Sequence, residues 1–194
     1  NSTLYARWTA NRYSVRINMN INRASSSAVS VNYTVTGDVG GSLGNGSLTN
    51  GTSSVTLSDV AFGQTLSLNF TAPTNYYISQ TALSSNPSSL SASGNKINFD
   101  KIFNNTAELS SNTLTINVYL YEVYTISYYQ NTGTGMSMQN SYKIHGASVT
   151  LRQNTYTKTG YNFDGWATSE DGAKVYDDQA SYPTTANASV TLYA

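Results

Sequence analysis

Three kinds of residue are scarce in this chain of 194 residues: cysteine is absent, proline occurs 3 times, and charged residues make up only 10%. The lack of cysteine excludes disulfides, thiol catalysis and zinc–thiolate sites. About 25% charge is usual for soluble domains, and the 10 Lys+Arg residues here balance 10 Asp+Glu residues. Such a chain has no basic surface for nucleic acid. It also has no apolar run long enough for a membrane-spanning helix, so we expect no membrane span.

Neutral polar residues replace the missing charge, together with 16 Tyr. Asn, Ser and Thr alternate with apolar residues instead of forming blocks, which favours a folded chain over a disordered one. A surface of neutral hydrogen-bonding groups changes little with pH or salt, and this suits exposure outside the cell. Asn1 follows no signal peptide or tag, as in a processed mature protein, although an excised fragment would look similar. We therefore expect an extracellular location at the cell surface.

Alternation with a period of two residues dominates the chain and is typical of strands with one buried face. The clearest examples are Val15–Ile21, Val29–Val35 and Leu114–Leu120. No stretch has a helical period over ten residues or more. The sequence predicts an all-β fold with at most one short helix.

The sequence predicts two β-domains and an N-terminal extension strand. Residues 1–10 form the extension, residues 11–122 a sandwich-like domain, and residues 123–194 a small C-terminal domain. The boundary is placed near Glu122–Val123, where one predicted strand ends and another begins almost immediately.

The C-terminal part carries a motif, Gly160-Tyr161-Asn162-Phe163-Asp164-Gly165-Trp166, in which the recurring residues are Gly160, Tyr161, Phe163, Gly165 and Trp166. Together with Tyr124-Thr125-Ile126 and the closing Leu192-Tyr193-Ala194, it resembles the internalin B-repeat, or Listeria–Bacteroides repeat, family. The resemblance implies a β-grasp-like module, usually found in tandem, that serves as a stalk or contact surface on the cell. It implies no catalytic residue.

The first residues also resemble this family, namely the last strand of a repeat: Leu4, Tyr5, Ala6, Arg7 and Trp8, within residues 2–9. No repeat body precedes this strand in the sequence. It could insert into a neighbouring subunit as a donor strand, belong to a tandem array, or pair within its own chain. In the first case the partners are identical subunits, and burying Leu4 and Trp8 would contribute about 1.5–3 kcal/mol each.

No set of residues predicts catalysis, a metal site or a cofactor. His145 is the only histidine and lacks the nucleophile and second base of a hydrolase. The acidic pairs Glu170-Asp171 and Asp177-Asp178 lack the ligand spacing of a calcium loop. Exposed tyrosines could stack on sugars, but core packing explains most of them.

Seven Asn-x-Ser/Thr sequences are candidate N-glycosylation sites, a number near chance for this composition. The polar registers of two strands carry Asn32 and Asn69, whereas Asn45 and Asn50 lie in a predicted loop. The full set is Asn1, Asn32, Asn45, Asn50, Asn69, Asn104 and Asn187.

The functional hypothesis that follows is a non-enzymatic structural subunit of an extracellular filament, pilus-like or thread-like, joined by donor-strand complementation. The alternative is a stalk or spacer segment of a tandem-repeat adhesin, with other surface proteins or glycans as further partners.

Overall fold

The computed structural model describes residues 3–23, 29–37, 42–49, 54–63, 65–87, 90, 96–102 and 109–194. Strands and turns account for all regular structure in these ranges, which confirms the all-β prediction. No helix that could span a membrane occurs in the described part of the chain. The strands are β1 (Arg12–Asn22), β2 (Ser30–Gly37), β3 (Ser42–Thr49), β4 (Ser54–Ala61), β5 (Thr65–Thr71), β6 (Tyr76–Ser79), β7 (Lys96–Ile102), β8 (Leu109–Ser110), β9 (Thr113–Tyr129), β10 (Ser141–Ile144), β11 (Val149–Thr150), β12 (Ser181–Tyr182) and β13 (Val190–Tyr193).

The first of two compact units consists of Asn1–Asn20, Ala28–Ala72 and Lys96–Val118. One of its sheets is antiparallel with the strand order β3-β2-β5-β7, and β1 pairs with β4 in another sheet. The alternating apolar residues of β1 and β5 are buried as their period predicts. These residues are Val15, Ile17, Met19, Leu66, Leu68 and Phe70. Two sheets with one buried face each give a sandwich-like arrangement.

β3 differs from prediction, because the Gly-rich stretch around Asn45 was expected to be a loop. It pairs instead with β2 along its length, from Ser30↔Thr49 to Thr36↔Ser42. Glycine and asparagine are poor strand formers, but β2 supplies the hydrogen-bonding partners. Among the described strands of this sheet, β3 lies at the end of the order and is hydrogen-bonded to β2.

The second unit consists of Ile21–Ser27, Pro73–Asn95 and Tyr119–Ala194. Its sheet is built around the second half of β9, which pairs antiparallel with β10 and parallel with β13. β6 pairs with the same strand further upstream, from Tyr76↔Glu122 to Ser79↔Tyr119. A cluster of buried side chains fills the core beneath: Ile126, Tyr128, Leu151, Tyr156, Trp166, Tyr182 and Leu192.

The two strands predicted on either side of Glu122–Val123 are one continuous strand of 17 residues, β9. Within this strand, consecutive residues are buried at Leu120–Tyr121 and again at Val123–Tyr124, so the alternation shifts twice. In the sequence, such shifts look like the end of one strand and the start of another. The compact units also differ from the predicted domains, since Pro73–Asn95 is part of the second unit. The division into residues 1–10, 11–122 and 123–194 stays a prediction about sequence modules.

Lys143 on β10 is fully buried in the second unit. Its ammonium donates to the carbonyl of Thr184 at 3.3 Å and, at 3.5 Å, to the carbonyl of Ile144 and to Oδ1 of Asn187. The ammonium also lies 5.3 Å from the ring centroid of Tyr124. Burial lowers the pKa of Lys143 below the usual value for lysine.

This buried lysine predicts a specific pH dependence of stability. Because its pKa is lower in the folded chain, the unfolded chain binds more protons, and the free energy of unfolding rises as pH approaches about 10.4. Lys143→Met removes this rise while keeping the side-chain volume similar. In urea unfolding across the alkaline range, we expect the wild type to gain stability relative to the variant as pH increases. A stability difference that is independent of pH would contradict the assignment.

Candidate functional site

The N-terminal segment, Thr3–Thr9, is extended and exposed. Leu4 is 94% exposed, Tyr5 88% and Trp8 90%. The segment forms no strand and pairs with no other described part of the chain. The hypothesis that it pairs within its own chain is therefore wrong for this structure. Three large side chains are left in water, at positions where burial would be favourable.

The last four residues of the chain, three of them in β13, repeat part of this segment, but Leu192 is buried where Leu4 is exposed. Thr191-Leu192-Tyr193-Ala194 repeats Thr3-Leu4-Tyr5-Ala6, and Leu192 is fully buried. One edge of β13 pairs with β9, from Val190↔Ile126 to Tyr193↔Tyr129. On the other edge, Tyr193 and Ala167 exchange two backbone hydrogen bonds of 2.9 Å each. The strand thus has backbone partners on both sides.

Trp166, the last residue of the sequence motif, lies at the centre of the core beside β13. It is fully buried. Its ring centroid lies 5.0 Å from those of Tyr128 and Phe163 and 6.4 Å from that of Tyr156, each in an edge-to-face arrangement. The hydroxyl of Tyr156 donates to the carbonyl of Tyr128 at 2.9 Å and accepts from the amide of Met138 at 3.1 Å. The motif therefore builds an aromatic core.

A groove of about 430 Å³ opens where β13 ends. Its aromatic walls are Tyr161, which is 70% exposed, Phe163 and Tyr193, and its rim is polar. The ammonium of Lys158 lies 4.5 Å from the centroid of the Tyr161 ring. The other lining side chains and backbone positions are Gln130, Asn131, Gly133, Tyr156, Thr157, Asn162, Asp164, Gly165, Ala167, Glu170, Gly172, Lys174 and Ala194.

Hydrogen bonds hold the rim of this groove in place. The side-chain amide of Asn131 donates to the carbonyls of Glu170 at 2.8 Å and of Ala194 at 3.2 Å, which fixes the end of β13. The ammonium of Lys174 lies 3.1 Å from Asp177 and 3.4 Å from Asp164. Hydrogen bonds to Asp177 and Asp164 raise the pKa of Lys174.

The family model of the Listeria–Bacteroides repeat domain matches residues 124–194, which hold β13, the aromatic core and the groove. Residues 124–194 are a Listeria–Bacteroides repeat domain. The match begins at Tyr124, within β9, and leaves residues 1–123 outside it. Comparisons with curated proteins and with solved structures gave no match.

Two glycines of the repeat motif, Gly160 and Gly165, are required for different structural reasons. Gly160 has a φ of +80° in a turn, and a Cβ added there would meet no atom within 4 Å. Gly165 has a φ of +150°, and a Cβ added there would contact the Lys174 side chain and lie 2.5 Å from the carbonyl oxygen of Tyr176. That carbonyl accepts the amide of Trp166 at 2.8 Å. Gly165 is required because the backbone approaches closely, and Gly160 because of its positive φ alone.

We expect Gly165→Ala to destabilise the repeat domain by about 2 kcal/mol more than Gly160→Ala, because the added methyl group has no room at Gly165. Both variants carry the cost of a positive φ, roughly 1–2 kcal/mol, but only Gly165→Ala displaces the Tyr176 carbonyl from Trp166. Urea unfolding of the two variants measures the difference. Equal losses of stability would show that the close approach at Gly165 does not matter.

A second prediction concerns the hydroxyl of Tyr156, which serves two backbone groups in the repeat core. We expect Tyr156→Phe to cost about 1–3 kcal/mol, because it leaves the Tyr128 carbonyl and the Met138 amide without this partner. Tyr161→Phe is a suitable control, since that ring is exposed and we expect little change. The comparison uses thermal and urea unfolding, and equal stability of the two variants would contradict the prediction.

The candidate glycosylation sites differ in accessibility. Asn32 and Asn69 are exposed on their strands, and Asn32 accepts a 2.6 Å hydrogen bond from the Ser47 hydroxyl. Asn187 is half-buried and bonded to Lys143. Asn45 lies in β3. The remaining sites, Asn1, Asn50 and Asn104, lie outside the described residues.

The polar residues considered for chemistry lie apart from the groove or on its exposed rim. Nδ1 of His145 lies 3.1 Å from the Tyr124 hydroxyl, which donates to Glu122 at 2.8 Å. The carboxylate of Asp178 accepts the amide of Asn154 at 2.8 Å. Across the described ranges, no group of three or more potential metal ligands is found. The sequence predicted neither the burial of Lys143 nor the position of Asn131 at the groove, because both depend on contacts between residues far apart in sequence.

Proposed function

We propose that this chain is a structural module of a tandem-repeat stalk on the cell surface, in which Thr3–Trp8 forms the last strand of a preceding repeat domain. The proposal rests on a comparison of two leucines, Leu4 and Leu192, that differ in their exposure to solvent. Leu192 is fully buried in β13, whereas Leu4, at the matching position of the same four-residue sequence, is 94% exposed. An exposed copy of a core strand needs a core of the same kind to cover it.

The preceding repeat in the same polypeptide supplies that core most simply. In this chain the position of the last strand is already filled by β13, which is bonded to β9 and to Ala167. A strand donated by a separate subunit would have to displace β13 and break the backbone hydrogen bonds on both its edges. In a tandem array each body receives its own last strand, and nothing is displaced. This favours the stalk over the filament of separate subunits.

The strand arrangement of the repeat domain also suits a stalk under tension. The domain begins on β9 and ends on β13, and these strands are parallel neighbours over Ile126–Tyr129 and Val190–Tyr193. Tension applied at the two ends of the domain pulls parallel strands in opposite directions along their length. All the hydrogen bonds between them, including Ala194 N to Tyr129 O at 3.0 Å, are then loaded together. Such a pair resists extension better than one whose bonds are loaded one after another.

The size of the native polypeptide tests the proposal against the filament hypothesis. Material isolated from its source is measured by light scattering without denaturant and by mass after hot denaturation. We expect one long polypeptide that heat and denaturant do not divide. Complete dissociation into units of 20.9 kDa would contradict the tandem stalk and support donor-strand assembly.

A further inference from the structure

Among the described strands, β10 lies at one end of its sheet, beside β9. The amide of His145, the residue after β10, donates to the Glu122 carbonyl of β9 at 2.8 Å. Backbone groups along a paired strand alternate between its two edges. Tyr142 and Ile144 therefore direct their amides and carbonyls away from β9. A row of backbone groups along such an outer edge is a template on which a strand of another chain can pair.

The side chain of Asn86 occupies this outer edge. Its amide nitrogen donates to the Tyr142 carbonyl at 3.3 Å, and its Oδ1 accepts the Ile144 amide at 3.1 Å. A residue of a parallel neighbouring strand would make the same two bonds with its backbone groups. The carboxamide of Asn86 thus takes the place of one strand residue. Asn86 lies outside the family match, which begins at Tyr124.

Other side chains and turns of the repeat domain complete the protection of this edge. The carbonyl of Asn140, just before β10, accepts from Nε of Arg152 at 3.2 Å, and the Ile144 carbonyl accepts from the amide of Ala147 at 3.2 Å. Exposed edges often avoid pairing by means of charged side chains. The only charged residue of β10 is Lys143, and it is fully buried. Hydrogen bonds, and not exposed charge, therefore cover the outer edge of β10.

The backbone on both sides of Asn86 is anchored to the same compact unit. The amide of Leu83 donates to the Tyr121 hydroxyl at 2.7 Å. Leu83 and Leu90 are partly buried and pack against a cluster of buried residues that consists of Tyr121, Val123, Ile144 and Ala147. Because Ile144 belongs to this cluster, the contacts that position Asn86 and the amide that it covers are parts of one core.

We propose that Asn86 is an edge cap, which prevents β10 from pairing with the β10 edge of a second copy of this chain. Without the carboxamide, the Tyr142 carbonyl and the Ile144 amide are open to the backbone of another strand. The two identical edges can then satisfy each other in one continuous sheet. This role does not depend on the tandem stalk. In a stalk, where copies are held close together, it keeps neighbouring repeat domains from joining edge to edge.

Hydrogen exchange measured by NMR tests the cap in the full chain of 194 residues. In dilute solution we expect the Ile144 amide of Asn86→Ala to exchange about tenfold faster than that of the wild type, because it loses its acceptor. Ser85→Ala changes an exposed neighbour in the same segment and is the matched control. It should leave the exchange unchanged. Protection of the Leu192 amide in the same samples monitors the fold.

Analytical ultracentrifugation over a range of concentrations then measures association. We expect Asn86→Ala to form dimers at concentrations where the wild type and Ser85→Ala do not, and its Ile144 amide to regain protection as the dimer forms. Asn86→Lys replaces the carboxamide with a charged side chain, which opposes pairing at an edge. It should expose the Ile144 amide as Asn86→Ala does, yet associate no more than the wild type. All four chains carry the exposed Thr3–Thr9 segment, so association through that segment is common to them.

Three results would overturn the edge cap. The first is unchanged exchange at Ile144 in Asn86→Ala, which would show that Asn86 does not protect this amide. The second is faster exchange in a variant that associates no more than the wild type. The third is equal association of Asn86→Ala and Asn86→Lys, or a dimer in which the Ile144 amide stays unprotected, since either would place the contact elsewhere.

Discussion

The parallel pairing of β13 with β9 is the contact on which the repeat domain depends. β13 comes last in the chain, yet it lies beside the first strand of the domain and places Leu192 in the core that contains Trp166. Gly165 allows the backbone to approach Tyr176 closely, and the Trp166–Tyr176 bridge next to it holds the indole in that core. The end of β13 also defines the groove. Removing this strand would expose the core and leave the groove without one of its walls.

The dependence of the repeat domain on β13 also bears on the N-terminal segment, Thr3–Thr9. In the repeat domain the position of the last strand is filled by β13. We propose that the second copy of this strand sequence, at Thr3–Ala6, is covered by a second repeat domain. The exposed Leu4 and Trp8 are costly to leave in water, since burial of each is favourable by about 1.5–3 kcal/mol. In the proposed repeat array, each repeat domain would bury these side chains of the strand that follows it, without any rearrangement of the domain.

Much of the fold could be predicted from the sequence, because alternation with a period of two is a local property. It identified the buried faces of β1 and β5, and the Gly-Tyr-x-Phe-x-Gly-Trp motif identified the repeat domain. Continuity of β9 could not be predicted, because shifts in the alternation look the same as a strand end. Nor could β3, since its strand structure depends on hydrogen bonds to β2 and not on its own side chains. The groove and the burial of Lys143 arise from residues far apart in sequence: Lys143 lies on β10, which pairs with β9, and its ammonium is bonded to Thr184 and Asn187.

The central claim is that Thr3–Trp8 is the last strand of a preceding repeat, and the residues ahead of it in the native protein test this most directly. Peptide sequencing of the native polypeptide by mass spectrometry would read them. The account predicts a Gly-Tyr-x-Phe-x-Gly-Trp motif upstream, separated from Leu4 by the spacing that separates Trp166 from Leu192. A native polypeptide whose mature N-terminus is Asn1 would contradict it.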